Sequence, residues 1–459
     1  MGEESSIQTK TEIEPTSITV LMVLAFVLLS MVSQVFVTRT LTVLTAADSI
    51  AASHSWFSDT GSAPFAPPDL ARISISTVFD GALSLPEHCE ESGASDTFNQ
   101  PDRPEFVKAL YATGWTAGIP SRLESLAKII RSTELNAMVI EIKDDTGAIS
   151  YESSVPLARE IGAGVRKIRD IASVLAFLQQ EGIYPIARLV VFKDPKLARS
   201  RTQTAVRDSR GAIFNDSQGL AWTDPRAREV WEYNLEIAKE AALLGFREIQ
   251  FDYVRFPDDH GLTRINNTDS KGRTRADVIA EFLEYARAEL EPYGVVVTAD
   301  IFGIVCSAET DMGIGQVLEK LAPHVDYLAP MVYPSHYRRG EYGIPDPNGS
   351  PGETVRRSVS RALERLGALG SSARLIPWLQ DFSLGRDYGE AEVRAQIDAL
   401  LDLGIREFML WNPNNVYTES ALESLSETES SHPHPSAEAW LAIEDRTVAP
   451  YCANPRVRL

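Results

Sequence analysis

Eight short runs of β-branched and apolar residues, separated by stretches long enough to be amphipathic helices, constrain this chain more than any other feature. The runs are VKALYAT (107–113), AMVIEIK (137–143), YPIARLVVF (184–192), EIQFDYVRF (248–256), VVVTADIF (295–302), DYLAPMVY (326–333), RLIPWLQDF (374–382) and EFMLWN (407–412). Near-continuous apolar runs of this length mark strands buried on both faces. Parallel strands need a crossover, so regular alternation of strand and helix dictates an α/β fold with a parallel sheet. Eight such units within 105–445 match the repeat number and size of a closed (β/α)8 (TIM) barrel. The rival is an open doubly wound sheet. Against it, no G-x-G-x-x-G follows the first run and no phosphate-binding loop occurs.

The helices carry readable punctuation. Ser121-x-x-Glu124, just after Pro120, reads as a capping box, and Asp224-Pro225 as an N-cap followed by proline at the first helical position. Gly182, Gly245, Gly294 and Gly404 each stand where a helix must stop before the next strand, a place that favours a left-handed residue. Beyond the eighth run, a polar stretch over 418–435 leads to a last helix expected over 436–445, which closes the barrel. Residues 446–459 form a tail.

Upstream of the barrel the texture differs. After a short tail (1–17), ITVLMVLAFVLLSMVSQVFV (18–37) contains no charge. Twenty helical residues at ~1.5 Å each span ~30 Å, the thickness of a bilayer's hydrocarbon core. The expectation is a transmembrane signal anchor over 18–38. A cleaved signal peptide and a buried soluble helix are the alternatives. The acidic start (Glu3, Glu4, Glu12, Glu14) and the length of the run fit a signal peptide poorly. Lys10 and Arg39 flank the run, so the positive-inside rule does not decide orientation. A short N-terminus before a large folded part favours a membrane-anchored chain with an extracytoplasmic domain. Residues 39–104, with PFAPPD at 64–69, read as a linker. Cys89 and Cys452 flank the barrel region and either form a disulfide in an oxidising compartment or are unrelated thiols. Cys306, inside it, is assigned to packing.

Charge and residue counts exclude several chemistries. Lys plus Arg is 44 and Asp plus Glu is 64, a net charge of −20, so nothing supplies the basic stripe that a nucleic-acid binder needs. With three cysteines, and seven histidines that form no H-E-x-x-H, no metal site and no cofactor are expected. No G-x-S-x-G is present for a serine nucleophile.

In a barrel of this kind the reacting groups gather at the carboxyl ends of the strands. There the apolar runs stop and acids, amides and aromatics begin. The second run ends in Glu141 and Lys143, followed by Asp144, and the third carries Arg188. The fourth holds Gln250 and Asp252 and continues to Arg255. The fifth holds Thr298 and Asp300, the sixth ends in Tyr333, the seventh carries Trp378 and Gln380, and the eighth ends in Trp411 and Asn412. Carboxylates gathered in one mouth are costly unless paired or used. Side chains alternate along a strand, so Asp252 shares a face with Gln250, and Asp300 with Thr298. Adjacent strands lie about 4.8 Å apart. That puts the two aspartates within ~5 to 9 Å of each other, a span that two-carboxylate glycoside hydrolysis uses for either retention or inversion. Glu141, two strands away, is a weaker catalytic partner that can accept sugar hydroxyls or pair with Arg188 or Arg255. Flat faces of Tyr333, Trp378 and Trp411 suit sugar rings, and the amides of Gln380 and Asn412 suit hydroxyls. Taken strand by strand, Asp252–Arg255 and Glu141–Lys143 are instead structural ion pairs and each tryptophan is core. His260 and His336 follow the fourth and sixth runs, within reach of the mouth.

EIKDDTGAISYES (141–153), YPIARLVVFKDP (184–195), WTDPRAREVWEYNLEIAKEAALLGFREIQFDYVRFP (222–257), TADIFG (298–303) and APMVYPSHY (329–337) resemble the bacterial "putative glycoside hydrolase" domain family over about residues 106–420. The resemblance implies a barrel related to the alpha-amylase-like clans, often carried on secreted or membrane-anchored proteins. In that pattern a nucleophilic Asp ends strand four, where Asp252 stands, and a Glu acid/base ends strand five, where this chain has Asp300. The Arg that precedes the nucleophile by two residues is replaced by Gln250.

The expectation is therefore an extracytoplasmic glycoside hydrolase acting on a cell-envelope or environmental polysaccharide. Asp252 serves as nucleophile or base and Asp300 as general acid, with Ile301 and Phe302 as its apolar surround. Lys143, Asp144, Arg188, Arg255, Tyr333, Trp378, Gln380, Trp411 and Asn412 line the subsites. The rivals are an inactive glycan-binding barrel serving as an envelope scaffold and, less supported, a metal-dependent deacetylase.

Overall fold

The structure, a computed structural model, describes residues 102–258 and 269–424. The expected membrane span, nearly all of the linker, Cys89, Cys452, His260 and the closing helix over 436–445 lie outside the described residues. Among the described residues no helix is long and apolar enough to cross a membrane.

Nine strand segments form eight staves: β1 (Lys108–Ala112), β2 (Ala137–Lys143), β3 (Tyr184–Val190), β4 (Glu248–Asp252), β5 (Val296–Phe302), β6 (Tyr327–Met331), β7 (Arg374–Leu375), β8 (Trp378–Gln380) and β9 (Phe408–Trp411). Every pairing is parallel. Each stave pairs with the next, and β9 returns to β1, so the sheet closes into a barrel. The seventh stave is split into β7 and β8 because Pro377 has no N–H for the ladder. Its carbonyl still accepts the Met409 N–H at 2.9 Å. β4 stops at Asp252 rather than at 256, which matters for the site below.

The crossovers carry α1 (Pro120–Ser132), α2 (Ile171–Gln180), α3 (Arg228–Leu244), α4 (Arg275–Leu290), α5 (Leu318–Leu321), α6 (Pro351–Leu369) and α7 (Glu390–Asp402). α3 buries Val230, Tyr233, Asn234, Ile237, Ala238 and Ala241, the stripe expected of a helix laid on a sheet. Fully burying a side chain such as Ile237 contributes ~1.5–3 kcal/mol. Gly182, Gly245, Gly294 and Gly404 all have positive φ, as their positions at helix ends require. Two helix starts differ from expectation. α1 begins at Pro120 itself with Ile119 at the N-cap and no side-chain cap, so Ser121 lies within the first turn. α3 begins at Arg228 after Ala227, and Asp224 accepts the Arg226 N–H at 3.0 Å in a preceding turn.

Apolar side chains form two layers. One lies between staves and helices, and the other fills the barrel with Val107, Ala109, Val139, Tyr184, Ile186 and Met409 among its members. Beneath the inner layer lies a polar floor at the amino ends of the staves. Arg103 Nη2 meets Glu407 at 2.9 Å, and its Nε lies 3.5 Å from Glu248, whose other oxygen accepts the Thr298 hydroxyl at 2.6 Å. Arg103, placed in the linker by sequence, therefore plugs this end of the barrel.

Candidate active site

At the carboxyl ends the inward positions change from apolar to charged. Register places Glu141 beside Arg188 and Arg188 beside Gln250. β4 and β5 pair Gln250 with Thr298 and Phe251 with Ala299, so one further step brings Asp252 level with Asp300. Both aspartates line one cavity of about 680 Å³, together with Arg188, Arg255, Tyr333, Trp378 and Trp411.

Asp252 is gripped from two sides. Arg188 Nε donates to its Oδ2 at 3.0 Å, and Nη2 donates to the same oxygen. The remaining nitrogen, Nη1, donates to Glu141 Oε1 at 2.7 Å, which also accepts the Tyr111 hydroxyl at 2.8 Å. The other Asp252 oxygen accepts the Tyr253 backbone N–H at 2.5 Å. The Arg188 nitrogens and the Tyr253 N–H can only donate, so both Asp252 oxygens are used as acceptors. Tyr253 has φ 50°. This left-handed residue, at a cost of ~1–2 kcal/mol, turns the chain out of the stave directly after Asp252.

Asp300 has the opposite surroundings. It is 1% exposed; Oδ1 accepts the Trp378 indole N–H at 2.9 Å, and Oδ2 has no hydrogen-bond partner among the described residues. Burial, followed by repulsion from Asp252, holds its pKa well above the ordinary aspartate range, against the opposing charge of Arg188 and the Trp378 bond. One carboxyl is held as an acceptor by its donors, while burial and its neighbour's charge disfavour the ionised form of the other. Such a split environment is what distinguishes a nucleophile or base from a general acid. Burial, and then Asp300 and Asp252, likewise raise the Tyr333 pKa well above that of a free phenol, so it remains an O–H donor. Trp411 stacks on Tyr111 with 4.1 Å between centroids and meets Trp378 edge-on at 5.5 Å.

The structure does not bring the other sequence candidates into this cavity. A register shift on β2 between Glu141 and Lys143 carries Lys143 to the outer side. There it is fully buried against Asp194 (2.8 Å), the Val190 carbonyl (2.8 Å) and Asn234 (3.0 Å). Asp144 instead closes its own loop, accepting the N–H groups of Thr146 and Ala148 and pairing with Lys167. Gln380 is spent on the Ser335 N–H and the Phe382 carbonyl, and Asn412 on the Asp381 carbonyl and the Asn414 N–H. Neither the Asp252–Arg255 nor the Glu141–Lys143 ion pair forms, because Arg188 takes both acids. His336 does line the cavity, and burial lowers its pKa. Sequence reasoning missed Tyr111, although its alternation with Val107 and Ala109 points it inward. It also missed Tyr253, Tyr337, Arg338 and Glu341, which lie on loops where no periodicity exists to read. Among the described residues no group of three or more His, Cys, Asp or Glu is placed to hold a metal.

The family described as "Putative glycosyl hydrolase domain" matches residues 109–417. Among solved structures, a hypothetical protein from Ruminiclostridium thermocellum ATCC 27405 is 43% identical, covering 42% of this chain and 96% of that one, with a TM-score of 0.39. The PgaB (BpsB) glycoside hydrolase domain from Bordetella bronchiseptica is 15% identical over 70% of this chain and 100% of that one, with a TM-score of 0.52. The glycoside hydrolase domain of PelA from Pseudomonas aeruginosa is 15% identical over 71% of this chain and 99% of that one, with a TM-score of 0.40. No curated protein matches the chain.

Proposed function

The chain belongs to the glycosyl hydrolase domain family that matches 109–417, and from that premise we propose that its barrel cleaves glycosidic bonds of a polysaccharide by a two-carboxylate mechanism. The observation that supports this reading is the unequal pair of aspartates in one cavity: Asp252 gripped by Arg188, and Asp300 buried with Oδ2 unpartnered. Asp300 gives its proton to the glycosidic oxygen as the bond breaks, and Trp378 holds the carboxyl in position. Asp252 attacks the anomeric carbon or activates the water that does, and its charge stabilises the oxocarbenium-like transition state. Arg188 fixes Asp252 and Glu141 in place. Tyr333 and Trp411 offer the sugar an O–H donor and an aromatic face. The uncharged run at 18–37 supports an anchored, extracytoplasmic protein acting on envelope or environmental glycan.

The test is release of new reducing ends from a polysaccharide panel by the full-length protein and by Asp252→Asn. Wild type is expected to release product and the variant at least ~10²-fold less. Equal release by both, or glycan retained by wild type with no product, refutes the mechanism, and the second outcome favours a binding scaffold.

A further inference from the structure

The geometry points to an anion-binding subsite at Arg255, which takes an acidic substituent on the sugar; its place in catalysis rests on the glycosidase reading above. Arg255 follows Asp252 by three residues, on the segment that Tyr253 turns out of the barrel, and it lines the same cavity. It is 8% exposed. Three aromatic rings surround its guanidinium, with centroids at 4.6 Å (Phe302), 4.7 Å (Trp222) and 5.2 Å (Tyr253). Its one hydrogen bond among the described residues runs from Nη1 to the Phe256 carbonyl at 2.9 Å. A guanidinium carries five N–H donors.

Arg188, on the same cavity wall and buried to a similar degree, holds two carboxylates. Arg255 makes no carboxylate ion pair among the described residues. Asp252, Asp258 and Asp216 attract it only from longer range, and burial outweighs them to lower its pKa. Desolvating a cation costs more than aromatic faces return. An arginine left in this condition on a cavity wall is completed by a ligand that brings the missing anion to its planar fork. Arg338, from the loop after β6, lines the same cavity and is exposed, and it too makes no carboxylate ion pair among the described residues. Asp258 and Glu341 on the same wall confine the favourable region to the two guanidinium groups. The net charge of −20 supplies no long-range attraction, so the preference is one of local fit.

A uronic carboxylate, a sulfate ester and a phosphate ester share this chemistry. The test is calorimetric titration of the full-length protein with glucuronic acid, glucose 6-sulfate, glucose 6-phosphate and glucose. At least one acid is expected to bind at least ~10-fold more tightly than glucose, the range of a charged hydrogen bond, and which one does so identifies the anion. Arg255→Lys, which keeps the charge but loses the fork, and the exposed Arg338→Gln are each expected to narrow that ratio. Glucose binding as tightly as every acid, or a ratio unchanged in both variants, overturns the subsite. Hydrolysis of the polysaccharide panel is scored separately. Hydrolysis without an acid preference removes the subsite and leaves the glycosidase, whereas a preference without hydrolysis removes the glycosidase and leaves the subsite.

Discussion

Asp300→Asn takes away one proton and little else. The amide oxygen can accept the Trp378 N–H as Oδ1 does now, and the amide nitrogen takes the place of Oδ2, which has no partner to lose. What disappears is the transferable proton. Proton donation by a positioned acid contributes ~10²–10⁴-fold, which at ~1.4 kcal/mol per decade is about 3 to 5 kcal/mol of barrier. The assay compares kcat/KM on a polysaccharide with kcat/KM on an aryl glycoside whose activated phenol leaves without protonation. The variant is expected to lose the full factor on the polysaccharide and at least ~10-fold less on the aryl glycoside. The raised Asp300 pKa also makes the wild-type rate fall as pH climbs through it, a limb the variant lacks. Stability carries the same sign. A carboxyl whose folded pKa lies above its unfolded one stabilises the fold fully below the unfolded pKa, and that contribution is lost as pH rises through the folded pKa. The melting temperature of Asp300→Asn relative to wild type must therefore rise with pH over that window. Polysaccharide activity within about threefold of wild type, or equal losses on both substrates, refutes the acid assignment. A variant melting temperature that falls relative to wild type as pH rises over that window refutes the raised pKa.

Trp378→Phe removes the donor that favours the charged form of Asp300, so the alkaline limb of the pH–rate profile moves to higher pH; an unmoved or lowered limb contradicts this. Arg188→Met strands Asp252 and Glu141, whose side chains are 7% and 13% exposed, and is expected to cost about 3–5 kcal/mol in denaturant unfolding. An unchanged unfolding midpoint would show the grip to be unimportant. Arg103→Met leaves Glu248 in the floor without a cation, while Glu407 keeps Arg374 at 2.6 Å. Burial already raises the Glu248 pKa against the pull of Arg103, so the variant's melting temperature falls most at high pH. At permissive temperature kcat is expected to hold, because the floor lies at the far end from the cavity.

Local signals were sufficient for the frame. A stave buried on both faces, or a glycine that stops a helix, is decided within a few residues, and these readings match the structure at all eight staves and four glycines. They also located Asp252 and Asp300, since side chains alternate and neighbouring staves follow chain order. They failed where a distant partner decides. Lys143 reads as a companion of Glu141, yet Asn234, 91 residues away, and Asp194 hold it behind the barrel. Gln380 and Asn412 read as sugar-binding amides, yet each is consumed in holding a loop.

By itself the sequence determined that eight parallel staves form and which acids end them, because both follow from short-range periodicity and order. Only the closed barrel decided how differently the two aspartates are surrounded. The Arg188 grip on Asp252 joins residues 64 apart and the Trp378 bond to Asp300 joins residues 78 apart. Burial and charge at such separations are set by distances in space, which no local pattern encodes.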